Sequence, residues 1–105
     1  MRSVRELNDA FRTSGQGGRV LITQGIRAKG EEFVARVLEQ VRTFAAFTKD
    51  NDPYGEHDFG NFELEGETIF FKIDYYNKSL DGGSENPTDP AQTTRVLTIM
   101  LAEEY

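Results

Sequence analysis

The sequence predicts a small α+β domain, with an antiparallel sheet of three to four strands packed against one long helix and a short helix at the N-terminal end. Three observations predict it. Apolar residues at helical spacing mark one stretch, Phe33, Val34, Val37, Leu38, Val41, Phe44 and Ala45, with Arg36, Glu39, Gln40 and Arg42 opposite. Residues 59–76 alternate polar and apolar side chains around a glycine, as a β-hairpin does. Residues 93–101 are rich in β-branched and aliphatic side chains. At 105 residues the chain can bury one modest core and not two, so residues 1–105 are expected to form a single domain.

In chain order, Ser3 and Glu6 match the capping box, in which a serine hydroxyl and a glutamate three positions on satisfy free amides at a helix start. Val4, Leu7, Ala10 and Phe11 follow at helical spacing, so a short helix is expected to run to about Thr13. Gly15, Gly17 and Gly18 end it. A phosphate loop would need a lysine and a Ser or Thr at the start of a following helix, and here the strand-like residues 19–23 follow, so a connector is expected. Gly30 opens the main helix, with Glu31 and Glu32 in its first turn where they complement the positive end of the dipole. That helix is expected to end near Lys49, ahead of Asp50 and Pro53.

The hairpin can be argued in register. With Gly66 and Glu67 as a II′ turn, Leu64 meets Ile69 and Phe62 meets Phe71, on a core face shared with Ile73 and Tyr75. The outer face then sets Asn61 across from Lys72 and Phe59 across from Asp74, and His57, if the strand extends that far, across from Tyr76. A turn displaced by one residue would oppose Leu64 to Glu67 and bury charge, which favours the first register. Residues 77–90 are dense in turn formers and read as a long exposed loop. In the last segment Asp89 and Pro90 resemble a helix start, but the β-branched content of residues 93–101 predicts a strand.

Charge is uneven. Residues 1–49 hold nine Arg or Lys against five Asp or Glu, and residues 50–105 hold three against thirteen, giving +4 and −10 within a net −6. Such polarity can steer association or favour head-to-tail contacts between copies, so a homodimer is one expected state. There is no cysteine, which removes disulfides and thiolate metal sites and suits a reducing compartment. Arg2, Arg5, Glu6, Asp9, Arg12 and Arg19 leave no apolar run near the start, so no signal peptide is expected. No apolar run approaches the roughly 20 residues of a membrane helix. A soluble cytoplasmic protein is the expectation.

The chemistry-bearing residues concentrate in residues 50–58, which contain Asp50, Asp52, Glu56, Asp58 and the single histidine, His57. Asp50, Asp52, Gly55 and Asp58 fall at positions 1, 3, 6 and 9 of an EF-hand loop, but position 5 is Tyr54 and position 12 is Asn61 instead of the bidentate glutamate. A strand follows where a helix should, so a solvated acidic turn is favoured. One histidine without cysteine cannot furnish a zinc or iron site. A hard cation needs only carboxylates and water, and Lys72 and Asp74 share a strand face near Asn61, yet their order reverses that of the common nuclease arrangement. No Gly-x-Ser-x-Gly is present. No metal or cofactor is therefore assigned.

Four runs of residues carry a family resemblance: Leu7-Asn8-Asp9-Ala10-Phe11, Gly55-Glu56-His57-Asp58-Phe59-Gly60, Lys72-Ile73-Asp74-Tyr75-Tyr76, and Arg95-Val96-Leu97-Thr98-Ile99-Met100-Leu101-Ala102-Glu103-Glu104-Tyr105. Together they resemble the bacterial family known as domain of unknown function 3768. The resemblance implies a small protein typical of alphaproteobacteria and often encoded on plasmids or other mobile elements. It implies no activity and no catalytic residue.

Two functional readings follow. The first is a small acidic cytoplasmic binding or regulatory module that engages a partner protein through the acidic loop 50–58 and the outer hairpin face, with the host's nucleic-acid machinery as one class of partner. Its binding residues would be Asp50, Asp52, Glu56, His57, Asp58, Asn61, Lys72, Asp74 and Tyr76. Direct nucleic-acid binding is disfavoured, because glutamates interrupt the only basic stripe, Arg36, Arg42 and Lys49. The alternative is a metal-assisted or acid–base hydrolase using His57, Asp58, Lys72 and Asp74.

Overall fold

The computed structural model describes residues 2–105. Its elements in order are α1 (Val4–Ser14), β1 (Gly18–Ile22), α2 (Gln24–Arg27), α3 (Glu31–Thr43), β2 (Phe59–Leu64), β3 (Glu67–Tyr76) and β4 (Thr94–Leu101), closed by a 3-10 turn at Ala102–Glu104. The α+β class stands, with a four-stranded sheet in the order β1-β4-β3-β2.

Local signals account for α1. The Ser3 hydroxyl accepts from the Glu6 amide at 3.1 Å, and the Glu6 carboxylate accepts from the Ser3 amide at 2.9 Å. These reciprocal bonds satisfy donors that a helix start leaves open. At the other end Gly15 adopts φ 74°, and its amide donates to the Phe11 carbonyl at 2.7 Å. This left-handed cap explains why a glycine stands there.

The sheet is mixed, which corrects the antiparallel expectation. β1 runs parallel to β4, with Val20 beside Leu97 and Ile22 beside Ile99. The two strands are joined by everything between them, and a connection of that length can return the chain in the same direction. The other pairings are antiparallel. Nor is there one long helix with a minor companion: α1 has 11 residues and α3 has 13, with the short α2 between. α3 stops at Thr43, ahead of the expected Lys49, because Phe44 leaves the helix at ψ 132°. Its ring then lies edge-on to Phe71 at 5.2 Å and to Phe47 at 4.9 Å. Aromatic packing on the sheet outweighs two more turns of helix.

The hairpin turns one residue earlier than expected. Glu65 at φ 50° and Gly66 at φ 83° occupy the turn, so Leu64 pairs with Glu67, Phe62 with Ile69 and Phe59 with Lys72. Two positive φ angles make a type I′ turn, whose twist matches the strands. Pairing moved by two positions, so the side chains within the two strands kept their faces, but β2 begins at Phe59 and His57, expected across from Tyr76, does not join the outer face. The charge feared at Leu64 is not buried, because Glu67 sits at the ladder's end and pairs with Lys29 at 3.0 Å.

The core lies between α1, α2, α3 and one face of the sheet. Phe11, Ile26, Phe33, Val37 and Val41 meet Ile69, Phe71, Ile73, Leu97, Ile99 and Leu101 there. Gly60 permits this approach, since a side chain there would strike the rings of Phe71 and Phe44. Glu104 ties down the C-terminal turn. Its carboxylate accepts from the Thr23 hydroxyl at 2.6 Å and from the amides of Leu101 and Gly25 at 2.8 and 3.0 Å. The Thr23 bond leads the causes that hold its acidity below the usual carboxylate range.

Candidate functional site

The residues singled out in the sequence divide between two regions. The first is an inward-facing polar network where α1, the loop 52–58 and the ends of β3 and β4 meet. Asn8, fully buried on α1, donates through Nδ2 to the Tyr75 hydroxyl at 2.8 Å and to the Glu56 carbonyl at 3.0 Å. Its Oδ1 accepts from Arg95 Nε at 2.8 Å. The Tyr75 hydroxyl donates to Glu56 Oε1 at 2.8 Å, and the Arg95 guanidinium lies 5.2 Å from the Tyr75 ring centre. Arg95 Nη2 also donates to the Pro87 carbonyl at 2.6 Å. Burial is the first cause acting on both titratable ends: it raises the Tyr75 hydroxyl well above its ordinary value and lowers the Arg95 guanidinium. The asparagine amide thus acts as a two-sided adapter, accepting from a cation and donating to a phenol.

His57 occupies the neighbouring part of this region. Its Nδ1 lies 2.9 Å from Asp9 Oδ1, and its Nε2 lies 3.6 Å from Asp52 Oδ2. The ring stacks on Phe47 at 3.9 Å, nearly coplanar. Both ring nitrogens are turned toward carboxylates and neither faces a hydroxyl nucleophile. Asp52 is buried, and its Oδ1 accepts from the amides of Glu56 and His57 at 2.9 and 3.1 Å. Those two bonds fold the loop back on itself and hold His57 at φ 56°, a conformation that costs a non-glycine residue energy. Arg12, also buried, closes the region. It donates to the carbonyls of Val41 and Phe44 at 2.8 and 3.0 Å, capping the end of α3, and pairs with Asp9 at 3.2 Å.

The second region is the sheet face away from the helices. Lys72 and Asp74 pair there at 3.0 Å, and hydrogen bonding to Asp74 is the main cause raising the lysine above its ordinary value. They line a shallow groove of about 380 Å³ with Arg19, Leu21, Tyr76, Leu80 and Val96. Leu21 is 52% exposed. Asn61, also exposed, shares this face. At its far edge Phe59, Phe70 and Tyr105 form an edge-to-face cluster, with ring centres 5.4 to 6.2 Å apart.

The structure therefore brings His57, Asp52 and Glu56 together inside, and Lys72, Asp74 and Tyr76 together outside. No lining residue is shared: neither His57 nor Asp58 borders the groove. Asp58 sits half-buried before β2, where burial foremost, then the nearby charges of Glu56, Asp52 and Asp74, raise its carboxyl above the ordinary range. Asp50 is exposed, as is Tyr54 at 87%. Among the described residues no group of three or more His, Asp or Glu is arranged to hold a metal ion. No helix described is long and apolar enough to cross a membrane.

Sequence reasoning did not connect Asn8, Asp9, Arg12 and Arg95 to the site. A signal was available, because Asn8 and Asp9, Glu56 and His57, Tyr75, and Arg95 come one set from each of the four runs that carry the resemblance. The runs converge in space on this network.

The fold and network define a small α+β domain with a sheet clothed by helices on one face and a buried asparagine–tyrosine–arginine junction. The chain belongs to the family described as protein of unknown function (DUF3768), whose family model matches residues 22–104. Asn8 and Asp9 lie ahead of that span. No curated protein and no solved structure matched the chain.

Proposed function

We propose that this chain is a non-enzymatic cytoplasmic module that binds a partner protein through the outer sheet face, with Lys72, Asp74 and Tyr76 at its centre and Asn61 on the same face. The observation that carries the reading is the groove on the sheet face that the helices leave open, where Leu21, Tyr76, Leu80 and Val96 surround the Lys72–Asp74 ion pair with Arg19 beside it. Such a mixture of apolar area and orienting polar groups is what interfaces use. The partner that fits is a protein with a basic surface, since residues 50–105 carry a net −10. A protein that itself handles nucleic acid has such a surface.

The hydrolase reading has less support. His57 faces carboxylates on both sides, and Lys72 and Asp74 border a groove that His57 and Asp58 do not reach. Affinity capture with the wild type and with Asp74→Lys and Tyr76→Ala tests the proposal. Captured proteins should be lost with both variants and released by about 1 M salt, where screening is nearly complete. A captured set indifferent to both substitutions would overturn it. A rise in melting temperature with divalent ions or nucleotides would favour the hydrolase instead.

A further inference from the structure

β1 lies at one end of the sheet and pairs only with β4. The Thr23 amide donates to the Ile99 carbonyl at 3.1 Å. Backbone groups alternate sides along a strand, so those of Thr23, Leu21 and Arg19 face β4, and those of Gly18, Val20 and Ile22 face the open edge. There the Ile22 carbonyl accepts from Arg27 Nε at 3.2 Å, while the N–H and C=O of Val20 and the N–H of Ile22 meet no strand. An edge of this kind is a template for another chain.

Beside this edge, between β1 and α3, lies a cavity of about 360 Å³. Its lining is mostly apolar, with Val20, Ile22, Leu38 and Leu97 in the walls and Arg12 and Arg42 among them. The size falls in the range of small-ligand and side-chain pockets. The surroundings are basic: residues 10–30 contain Arg12, Arg19, Arg27 and Lys29 and no Asp or Glu, in a chain of net charge −6. Arg19, Arg27 and Arg42 are exposed and enter no ion pair among the described residues.

We propose that this edge binds an extended, acidic peptide segment of a partner protein, which joins the sheet as a fifth strand beside β1. Main-chain hydrogen bonds to Val20 and Ile22 supply affinity, alternate aliphatic side chains enter the cavity, and carboxylates meet Arg19, Arg27 and Arg42. A second copy of the chain fits poorly, because β1 carries Arg19 and no acidic residue, so pairing it with another β1 would bring like charges together with nothing to offset them. The Arg27 bond to Ile22 guards the edge until a peptide N–H takes over the Ile22 carbonyl and a peptide carboxylate takes over the guanidinium. This site uses the edge of β1 and the face that carries Val20 and Ile22, whereas the outer-face groove takes Arg19 and Leu21 from the other face of the same strand.

Selection from displayed random linear peptides of about ten residues, a length that spans a strand, is the test. The selected peptides should alternate aliphatic with acidic residues and shift the amide resonances of Gly18, Val20 and Ile22. Val20→Pro removes an outward N–H at an edge position where proline is tolerated, and should weaken a selected peptide about tenfold. Arg42→Glu, on the exposed side of α3, should weaken it by about threefold or more and decides the matter if Val20→Pro does not fold. Failure to enrich any peptide, enrichment of basic peptides, or affinity unchanged in the folded variants would overturn the proposal. So would a concentration-dependent dimer that Arg42→Glu strengthens, which would assign the edge to a second copy.

Discussion

Tyr75 and Tyr76 are neighbours in β3 with opposite surroundings. Tyr75 turns under the helices, where its hydroxyl bonds Asn8 and Glu56 and its ring faces Arg95. Tyr76 turns outward to border a groove with Leu21 and Leu80. The same division separates the two polar regions to which these residues belong. Inside, Asn8, Tyr75 and Arg95 bind one another from three separate elements; outside, Lys72 and Asp74 satisfy one another at a distance of two residues and leave their surroundings open. Residue type alone does not tell a structural junction from a surface available to other molecules. What distinguishes them is how many distant elements each polar group holds together.

Breaking the inner region should cost most. Asn8→Leu leaves the buried Arg95 Nε without its acceptor and the Tyr75 hydroxyl without its donor, and is expected to remove about 3 kcal/mol of stability in chemical denaturation. A loss comparable to a surface substitution would show that Arg95 finds another partner. Asp52→Ala deprives two amides of their acceptor and releases the strained His57, so about 2 kcal/mol should go. Hydrogen exchange at the amides of Glu56 and His57 should accelerate with it.

Asp58 sharpens the comparison from a different side. Its carboxyl is raised by burial in the folded state, so the native protein binds more protons than the unfolded chain above the unfolded value near 4. Its contribution to stability is therefore fully present in acid and lost as the pH rises through the folded value, the reverse of a paired carboxylate. Asp58→Asn should raise the melting temperature at pH 7, and the gain should shrink toward pH 3. A gain independent of pH would assign the effect to something other than ionisation. The smallest effect belongs outside. Lys72→Met should change stability by no more than about 0.5 kcal/mol, since a half-exposed pair contributes little.

Much of the fold was legible because it is written locally. The capping box at Ser3 and Glu6, the stripe from Phe33 to Val41 and the alternation through β3 each need only a few adjacent residues. The hairpin faces were readable even though the register was not, because a shift of two positions preserves the pleat. The parallel pairing of β1 with β4 was not legible, since residues 18 and 95 meet only after most of the chain has folded. The end of α3 was misplaced for a related reason: Phe44 and Phe47 continue a helical pattern but are claimed by Phe71. In the candidate site the acidic loop was found, but not that Asp52, Glu56 and His57 turn inward. That depends on Asn8, Asp9, Tyr75 and Arg95, which stand up to 87 positions from one another, and no spacing rule reaches so far.

Paired double-mutant cycles measured by chemical denaturation test most directly whether the two regions differ in kind. One cycle removes Asn8 and Arg95 singly and together, the other Lys72 and Asp74. The inner pair should show a coupling above about 1 kcal/mol and the outer pair a coupling near zero. Equal couplings, or a larger one on the outside, would contradict the division of this molecule into a buried junction and an open outer face.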